Sequence, residues 1–295
     1  MNFVRRRRLL LSLLAVWFIW GSTYLAIRVA LDSFPPLGMA GLRLTAAGLV
    51  LLAIGRWNGE PWLLTREWGA AFVVGTLMFV LGNGSVMLAE ETVSSGVVAV
   101  MVGAVPLYTV AIGRAFGARA TVRQWLSLVL GLGGIGLLNA GVELSGQLGI
   151  AALLTVGSVG WALGSVVSKK VGFVSTTMAA GGQMLAGGLL LGIGGLVTGE
   201  ELPPEPSLQS ILAVVYLFVF GSIVAFTAYS YLLRHASLAL ATSYAYVNPV
   251  VAVLLGALLR GERLDAWGAA GLGVIVLAVV LLTLPERTVA VPEPA

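Results

Sequence analysis

The sequence predicts an all-α integral membrane protein of ten transmembrane helices, laid out as two five-helix inverted repeats. Three observations carry this expectation. Over 295 residues, 58% hydrophobic against 10% charged leaves too little polar surface to cover a soluble sphere of this size. Cut at charges and at clusters of Pro, Gly and Glu, the chain falls into ten apolar stretches, each near the about 20 residues that a spanning helix needs. Finally, residues recur at an offset of 143 positions, the kind of internal repeat that decides an architecture before any motif does.

The first stretch, 9–31, follows the basic N-terminus 1–8 with Arg5, Arg6, Arg7 and Arg8. Its apolar part runs about 20 residues, longer than the roughly 7–15 of a signal-peptide core, and a second span follows at once, so it reads as a retained helix. That second span, 36–55, lies between Pro35 and Arg56, and the third, 68–88, between Glu67 and Glu90. The fourth, 93–114, contains Pro106 and ends at Arg114; the fifth, 124–142, starts after Arg123 and closes a first repeat of 9–142. A short outer loop, 143–147, leads to a second repeat, 148–284, whose sixth span, 148–168, ends at Lys169 and Lys170. The seventh, 176–198, stops at Gly199; the eighth, 209–233, at Arg234; the ninth, 237–259, carries Pro249; the tenth, 266–284, precedes a C-terminal tail of 285–295. Strands are a poor alternative because the runs are continuous and rich in Leu, Ala and Gly, without the alternation of barrel strands.

Charge sets the orientation. With the N-terminus in the cytoplasm, the inner side collects thirteen of the 17 Lys and Arg residues, from Arg5–Arg8 to Arg287, while the outer side gathers Asp32, Glu90, Glu91, Glu143, Glu200, Glu201 and Glu205. The positive-inside rule then places both termini in the cytoplasm. The loop at 260–265 carries both signs and weighs little.

At the 143 offset Pro106 matches Pro249, Gly21-Ser22 matches Gly164-Ser165 and Ser94 matches Ser237; at 142, Trp125 matches Trp267 and Gly131 matches Gly273. Five spans per repeat is an odd number, so the second half enters the membrane in the opposite orientation, an arrangement common among secondary transporters. A duplication kept only for packing is the alternative. Pro106 and Pro249 each remove one helix hydrogen bond, which makes them hinge candidates, with packing kinks as the other reading.

The run Trp20-Gly21-Ser22-Thr23-Tyr24, followed by Pro35-Pro36, Arg43 and a Gly/Ala-rich second span, resembles the opening of EamA-type members of the drug/metabolite transporter superfamily. The ending Asn248-Pro249, Gly261-Glu262-Arg263-Leu264 and Trp267 with a Gly-containing last span resembles their close. The resemblance covers essentially the whole chain, and within the family the sequence is most similar to YddG-type aromatic amino acid exporters. It implies ten helices around a central cavity and efflux of aromatic amino acids. The outward direction comes from this resemblance alone.

Polar groups at membrane depth are costly, so each is a functional candidate. Arg28 and Arg43 lie in the outer parts of the first two spans. Snorkelling with Asp32 as partner is the favoured reading for both, and binding a substrate carboxylate the alternative. Glu90 and Glu91 read as solvated at a helix end, leaving no carboxylate clearly mid-span for proton exchange. Trp17, Trp20 and Tyr24 at i, i+3 and i+7 form one stripe on one helical face, and Trp161 shares a face with Ser165. From these and similar faces the substrate-binding candidates are Trp17, Tyr24, Asn83, Met101, Trp161, Ser165, Tyr244 and Asn248, a semi-polar lining suited to a neutral or zwitterionic solute with an apolar side chain. For each, an interfacial or packing role is the competing reading.

The sequence contains no Cys and one His, which excludes disulfides, thiolate catalysis and the usual zinc sites. No catalytic residue, metal ligand or cofactor is expected, although a carboxylate-only metal site stays formally open. His235 reads as a loop residue, and no phosphate-loop motif is present. The basic residues stand singly or in short groups between apolar runs, the pattern of a membrane topology rather than of nucleic-acid binding. The leading expectation is a secondary transporter exporting small metabolites, amino acids and among them Phe, Tyr and Trp, across a bacterial-type cytoplasmic membrane by alternating access. Its partners are the small-molecule substrate and the lipid bilayer, with no nucleic acid, and the sequence leaves the oligomeric state open, a monomer included. A carrier of nucleotide sugars or phosphate esters, kept open by Lys169 and Lys170, is the runner-up. A non-transport membrane protein comes last.

Overall fold

The computed structural model describes residues 3–93, 98, 101–138, 148–251 and 266–284. All regular elements among the described residues are helical. In chain order they are α1 (Phe3–Leu31), α2 (Pro36–Trp57), α3 (Thr65–Glu90), α4 (Val105–Ala115), α5 (Val122–Leu138), α6 (Leu148–Val171), α7 (Thr176–Val197), α8 (Leu208–His235), α9 (Leu238–Thr242), α10 (residues 244–251) and α11 (Ala266–Thr283). Seven of them, α1, α2, α3, α6, α7, α8 and α11, are long and apolar enough to cross a membrane, and most of α5 (Val122–Leu137) is a shorter apolar helix. Expected features at Ser94, 139–147, 252–265, Arg287 and the C-terminal tail lie outside the described residues.

The fourth and ninth stretches do not run as plain helices. A turn at Gly103 and Ala104 precedes α4, so Pro106 sits in the first turn of a new helix, where its missing N–H is harmless. In the ninth stretch the break falls at Ser243, between α9 and α10, and Pro249 lies within α10. His235, expected in a loop, is the last residue of α8 and stacks on Tyr231 with ring centroids 4.1 Å apart.

Packing follows the rule that helices in lipid associate by close approach of small residues, because lipid tails are as apolar as Leu. The seam between α2 and α7 is built this way. A Cβ on Gly41 would stand 2.4 Å from the backbone nitrogen of Gly192, and one on Gly48 2.6 Å from that of Leu185. At these two points the backbones approach so closely that no Cβ fits between them. Large apolar residues such as Leu42, Val129, Leu189 and Leu196 face outward instead, an arrangement that hydrocarbon surroundings permit and water would penalise.

Polar caps hold the ends. Glu200, after α7, accepts hydrogen bonds from Leu37 N at 3.1 Å and Gly38 N at 2.6 Å at the start of α2, placing a carboxylate at the positive end of a helix dipole. Glu91 at the same end has its carboxyl raised above the ordinary value by partial burial and then by the Glu200 charge. Glu67 accepts from Leu64 N and Val174 N, tying α3 to the α6–α7 turn.

Both α3 and α8 contain a wider, π-helical turn near the middle, at Thr76–Asn83 and Leu217–Val224. Such turns shift the hydrogen-bond ladder, free backbone groups and are frequent at functional sites. Here they flank the interior cavity.

Candidate functional site

A cavity of about 100 Å³ lies between α1, α2, α3, α6, α8 and α10. Six of its lining residues carry rings, Trp20, Tyr24, Phe79, Trp161, Phe226 and Tyr244, with aliphatic and small polar residues between them. Trp20 of α1 is the hub: its ring lies 5.5 Å from Trp161 and 4.6 Å from Tyr244, both edge-on, and 5.1 Å from Tyr229 behind them. Phe79 continues the wall, 6.1 Å from Trp161 and 4.8 Å from Phe226. Tilted and edge-to-face contacts at these distances are the favourable geometries for aromatic pairs. They fix the rings without filling the space between them.

The sequence repeats where the π turns touch the cavity. Phe79-Val80-Leu81-Gly82-Asn83 in α3 and Phe218-Val219-Phe220-Gly221-Ser222 in α8 share a pattern at an offset of 139. Each glycine serves a tryptophan. A Cβ on Gly82 would stand 2.8 Å from the Trp161 ring, so only glycine leaves that ring its seat. Gly221 offers its carbonyl, which accepts a 3.0 Å hydrogen bond from Trp20 Nε1.

The residue after each glycine reaches a common target. Arg43 of α2 donates from Nη1 to Ser222 Oγ at 3.0 Å and from Nη2 to Asn83 Oδ1 at 3.2 Å. Its side chain is 6% exposed and lines the cavity. The Nε is buried without a partner. This corrects the snorkelling expectation. Arg43 is seven residues inside α2, about 10 Å from its start at 1.5 Å per residue, and it turns inward. Asp32 stays exposed, and Arg28 donates to the backbone oxygen of Glu90 at 2.6 Å. Glu90, expected to be solvated, is fully buried, whereas Glu91 is exposed.

Of the eight binding candidates, Tyr24, Asn83, Trp161, Tyr244 and Asn248 line the cavity. Trp17, Met101 and Ser165 stand behind its wall. Trp17 donates from Nε1 to Ser243 Oγ at 2.9 Å, bracing α1 against the break between α9 and α10. Met101 packs in a side cluster with Tyr24, Val98 and Leu154. Ser165, wholly buried, bonds Tyr229 Oη at 2.7 Å and so supports a wall ring rather than facing the cavity. Trp20 and Arg43 are among the lining residues missing from the candidates. Trp20 belongs to the same stripe as its neighbours, and the offset-139 pattern would have pointed to what Arg43 bonds.

Lys169, which kept a phosphate-ester carrier open, is occupied elsewhere. Its Nζ donates to the carbonyls of Leu233 and Ala236 at 2.6 Å each, capping the end of α8, while Lys170 lies over the Phe116 ring at 5.0 Å. Among the described residues no cluster of three or more His, Cys, Asp or Glu could hold a metal ion.

With this geometry in place, comparison with known proteins gives consistent relatives. The EamA-like transporter family matches twice, over residues 7–140 and 148–284. The uncharacterized inner membrane transporter YedA of Escherichia coli is 47% identical over 287 residues, covering 95% of this chain and 94% of that one. An uncharacterized transporter of Synechocystis, sll0355, is 28% identical over 94% of this chain and 90% of its own. A crystal structure at 20% identity superposes with a TM-score of 0.77 over 92% of this chain and 95% of its own, which speaks to the fold alone.

Proposed function

The chain belongs to the EamA-like transporter family, and from that premise we propose that it is a secondary transporter exporting small metabolites, amino acids and among them aromatic ones, by alternating access across a bacterial-type inner membrane. The observation that carries the solute class is the cavity itself. It lies inside a bundle of apolar spans, and Trp, Tyr and Phe rings share its walls with aliphatic side chains, small residues and a few polar groups. Rings offer broad, adaptable contact to an apolar or aromatic side chain, while the scattered amides and hydroxyls orient a polar end. Tyr24, Asn83, Trp161, Tyr244 and Asn248 contact the solute in this reading, and Trp17, Met101 and Ser165 support them from behind.

Ten spans in two inverted five-helix repeats, with both termini cytoplasmic, complete the proposal. The twofold family match, the shared Phe-Val-x-Gly pattern of α3 and α8 and their paired π turns support it. Pro106 and Pro249 lie close to the breaks in the fourth and ninth stretches, which suits a hinge. Membership of a transporter family favours transport over catalysis. With Lys169 committed to a helix end, the described residues give a phosphate-ester carrier one cation at the cavity, Arg43, rather than a cluster.

The test is flux. Purified protein in proteoliposomes is expected to take up labelled Phe, Tyr and Trp saturably, with competition by unlabelled Leu or Met and not by Lys. Folded protein giving no flux above empty liposomes for any of these would defeat the amino acid reading.

A further inference from the structure

The geometry points to Arg43 as a carboxylate-binding residue of the cavity, which makes the site selective for solutes with one carboxylate and an apolar body. The inference rests on the reading of this cavity as the solute site. Arg43 is nearly wholly buried, lines the cavity and has neutral partners only, Ser222 Oγ and Asn83 Oδ1. Among the described residues, none that lines the cavity is acidic. A guanidinium offers five N–H donors in a planar fork. Two are engaged by these oxygens, and Nε–H is buried and unmet.

A charge held this way is oriented without being neutralised. Two hydrogen bonds from hydroxyl and amide oxygens fix the fork in place, yet the desolvated positive charge still lacks its anion. Both partners sit on π turns, one in α3 and one in α8, and both follow a glycine that meets a tryptophan, Gly82 beneath the Trp161 ring and Gly221 through its carbonyl to Trp20 Nε1. Five helices therefore converge on the placement of one cation: α2 carries it, α3 and α8 aim it, and α1 and α6 supply the rings beside it. Such an arrangement goes well beyond what an anchoring arginine requires.

The remaining orphaned atoms suit the same ligand. Trp161 Nε1 is buried beside the Tyr229 hydroxyl with no hydrogen bond of acceptable geometry, so its N–H is free to turn to a ligand as a second donor, and Asn248, whose side chain neighbours the Tyr24 hydroxyl, keeps Oδ1 as a buried acceptor without a partner. Guanidinium and indole donors match a carboxylate, and the amide oxygen matches an ammonium group, so an α-amino acid meets both. A phosphate dianion would call for more than one cation at this depth, whereas a monocarboxylate is matched by one. A solute with an amine and no carboxylate would meet uncompensated repulsion from Arg43.

Ligand binding to the purified full-length protein, followed by calorimetry and by tryptophan emission, tests this with five probes sharing one ring: phenylalanine, 3-phenylpropionate, phenylalaninamide, phenethylamine and phenyl phosphate. Phenylalanine and 3-phenylpropionate are expected to bind at least about tenfold tighter than the amide and the amine, the loss of one charge-assisted hydrogen bond. Arg43→Gln should weaken both acids at least about tenfold and leave phenethylamine unchanged or tighter, with Arg43→Lys in between. Ser222→Ala, which keeps the charge and removes one of its supports, should weaken the acids a few-fold; it serves as the variant should Arg43→Gln lose its fold. Amine binding as tight as acid binding in the unaltered protein overturns the inference while leaving an aromatic solute site standing. So does folded Arg43→Gln with unchanged affinity for phenylalanine. Phenyl phosphate binding tighter than 3-phenylpropionate overturns the carboxylate assignment in favour of phosphate. Binding of none of the five overturns both this inference and the aromatic reading beneath it.

Discussion

The π turns of α3 and α8 begin from the same five-residue pattern and end in different jobs. In α3, Gly82 is a steric seat: the Trp161 ring rests where its Cβ would be, and the indole N–H, beside the Tyr229 hydroxyl, makes no hydrogen bond of acceptable geometry. In α8, a Cβ on Gly221 would come no nearer than 3.2 Å to Thr23, and what matters is the carbonyl that takes the Trp20 N–H. Asn83 and Ser222 then meet on one guanidinium. A backbone device shared by the two halves thus yields an asymmetric cavity, with one tryptophan satisfied and the other left open. A solute with distinct polar and apolar ends needs that asymmetry.

Four sets of substitutions break or sharpen this contrast. The largest effect lies outside the pair, at the α2–α7 seam that fixes where Arg43 stands. Gly41→Val forces a side chain into the Gly192 backbone and is expected to cost at least about 3 kcal/mol, read as loss of monodisperse folded protein on size exclusion. Next, Asn83→Ala and Ser222→Ala each remove one support from a buried charge. Each should destabilise by roughly 1.5–3 kcal/mol in reversible unfolding, with Arg43→Met combined with either showing strong non-additivity. Equal penalties would mean that the halves contribute alike to holding the cation.

The glycine pair gives a direct comparison. Gly82→Ala should cost about 1–3 kcal/mol and shift the Trp161 emission, because the indole has to move, whereas Gly221→Ala at 3.2 Å should cost under about 1 kcal/mol. The reverse order of melting temperatures would refute the steric role of Gly82. The smallest effect separates the tryptophans: Trp20→Phe loses a hydrogen bond worth about 1 kcal/mol, and Trp161→Phe loses none. Similar losses in both would mean that ring area, and not the Gly221 carbonyl, holds Trp20.

Composition and run length by themselves determined the helical membrane class and most helix positions. Described helices follow the expected spans closely, from 36–55 against Pro36–Trp57 to 266–284 against Ala266–Thr283. Apolar length is a one-dimensional property, because a helix in lipid satisfies its own backbone and needs no partner to exist. The faces were legible in part: the stripe through Tyr24 and the polar residues Asn83 and Asn248 pointed into the cavity. Only the tertiary structure decided which stripe members line it and which brace it, since a helical face spans an arc wide enough to meet two neighbours. That is why Trp17 reached Ser243 and Trp20 the cavity. Arg43 shows the limit most clearly. Depth along α2 could be counted from the sequence, but its direction depended on two π turns from distant segments meeting at the same point. Pairing across 40 and 179 positions is a fact of packing, not of local pattern.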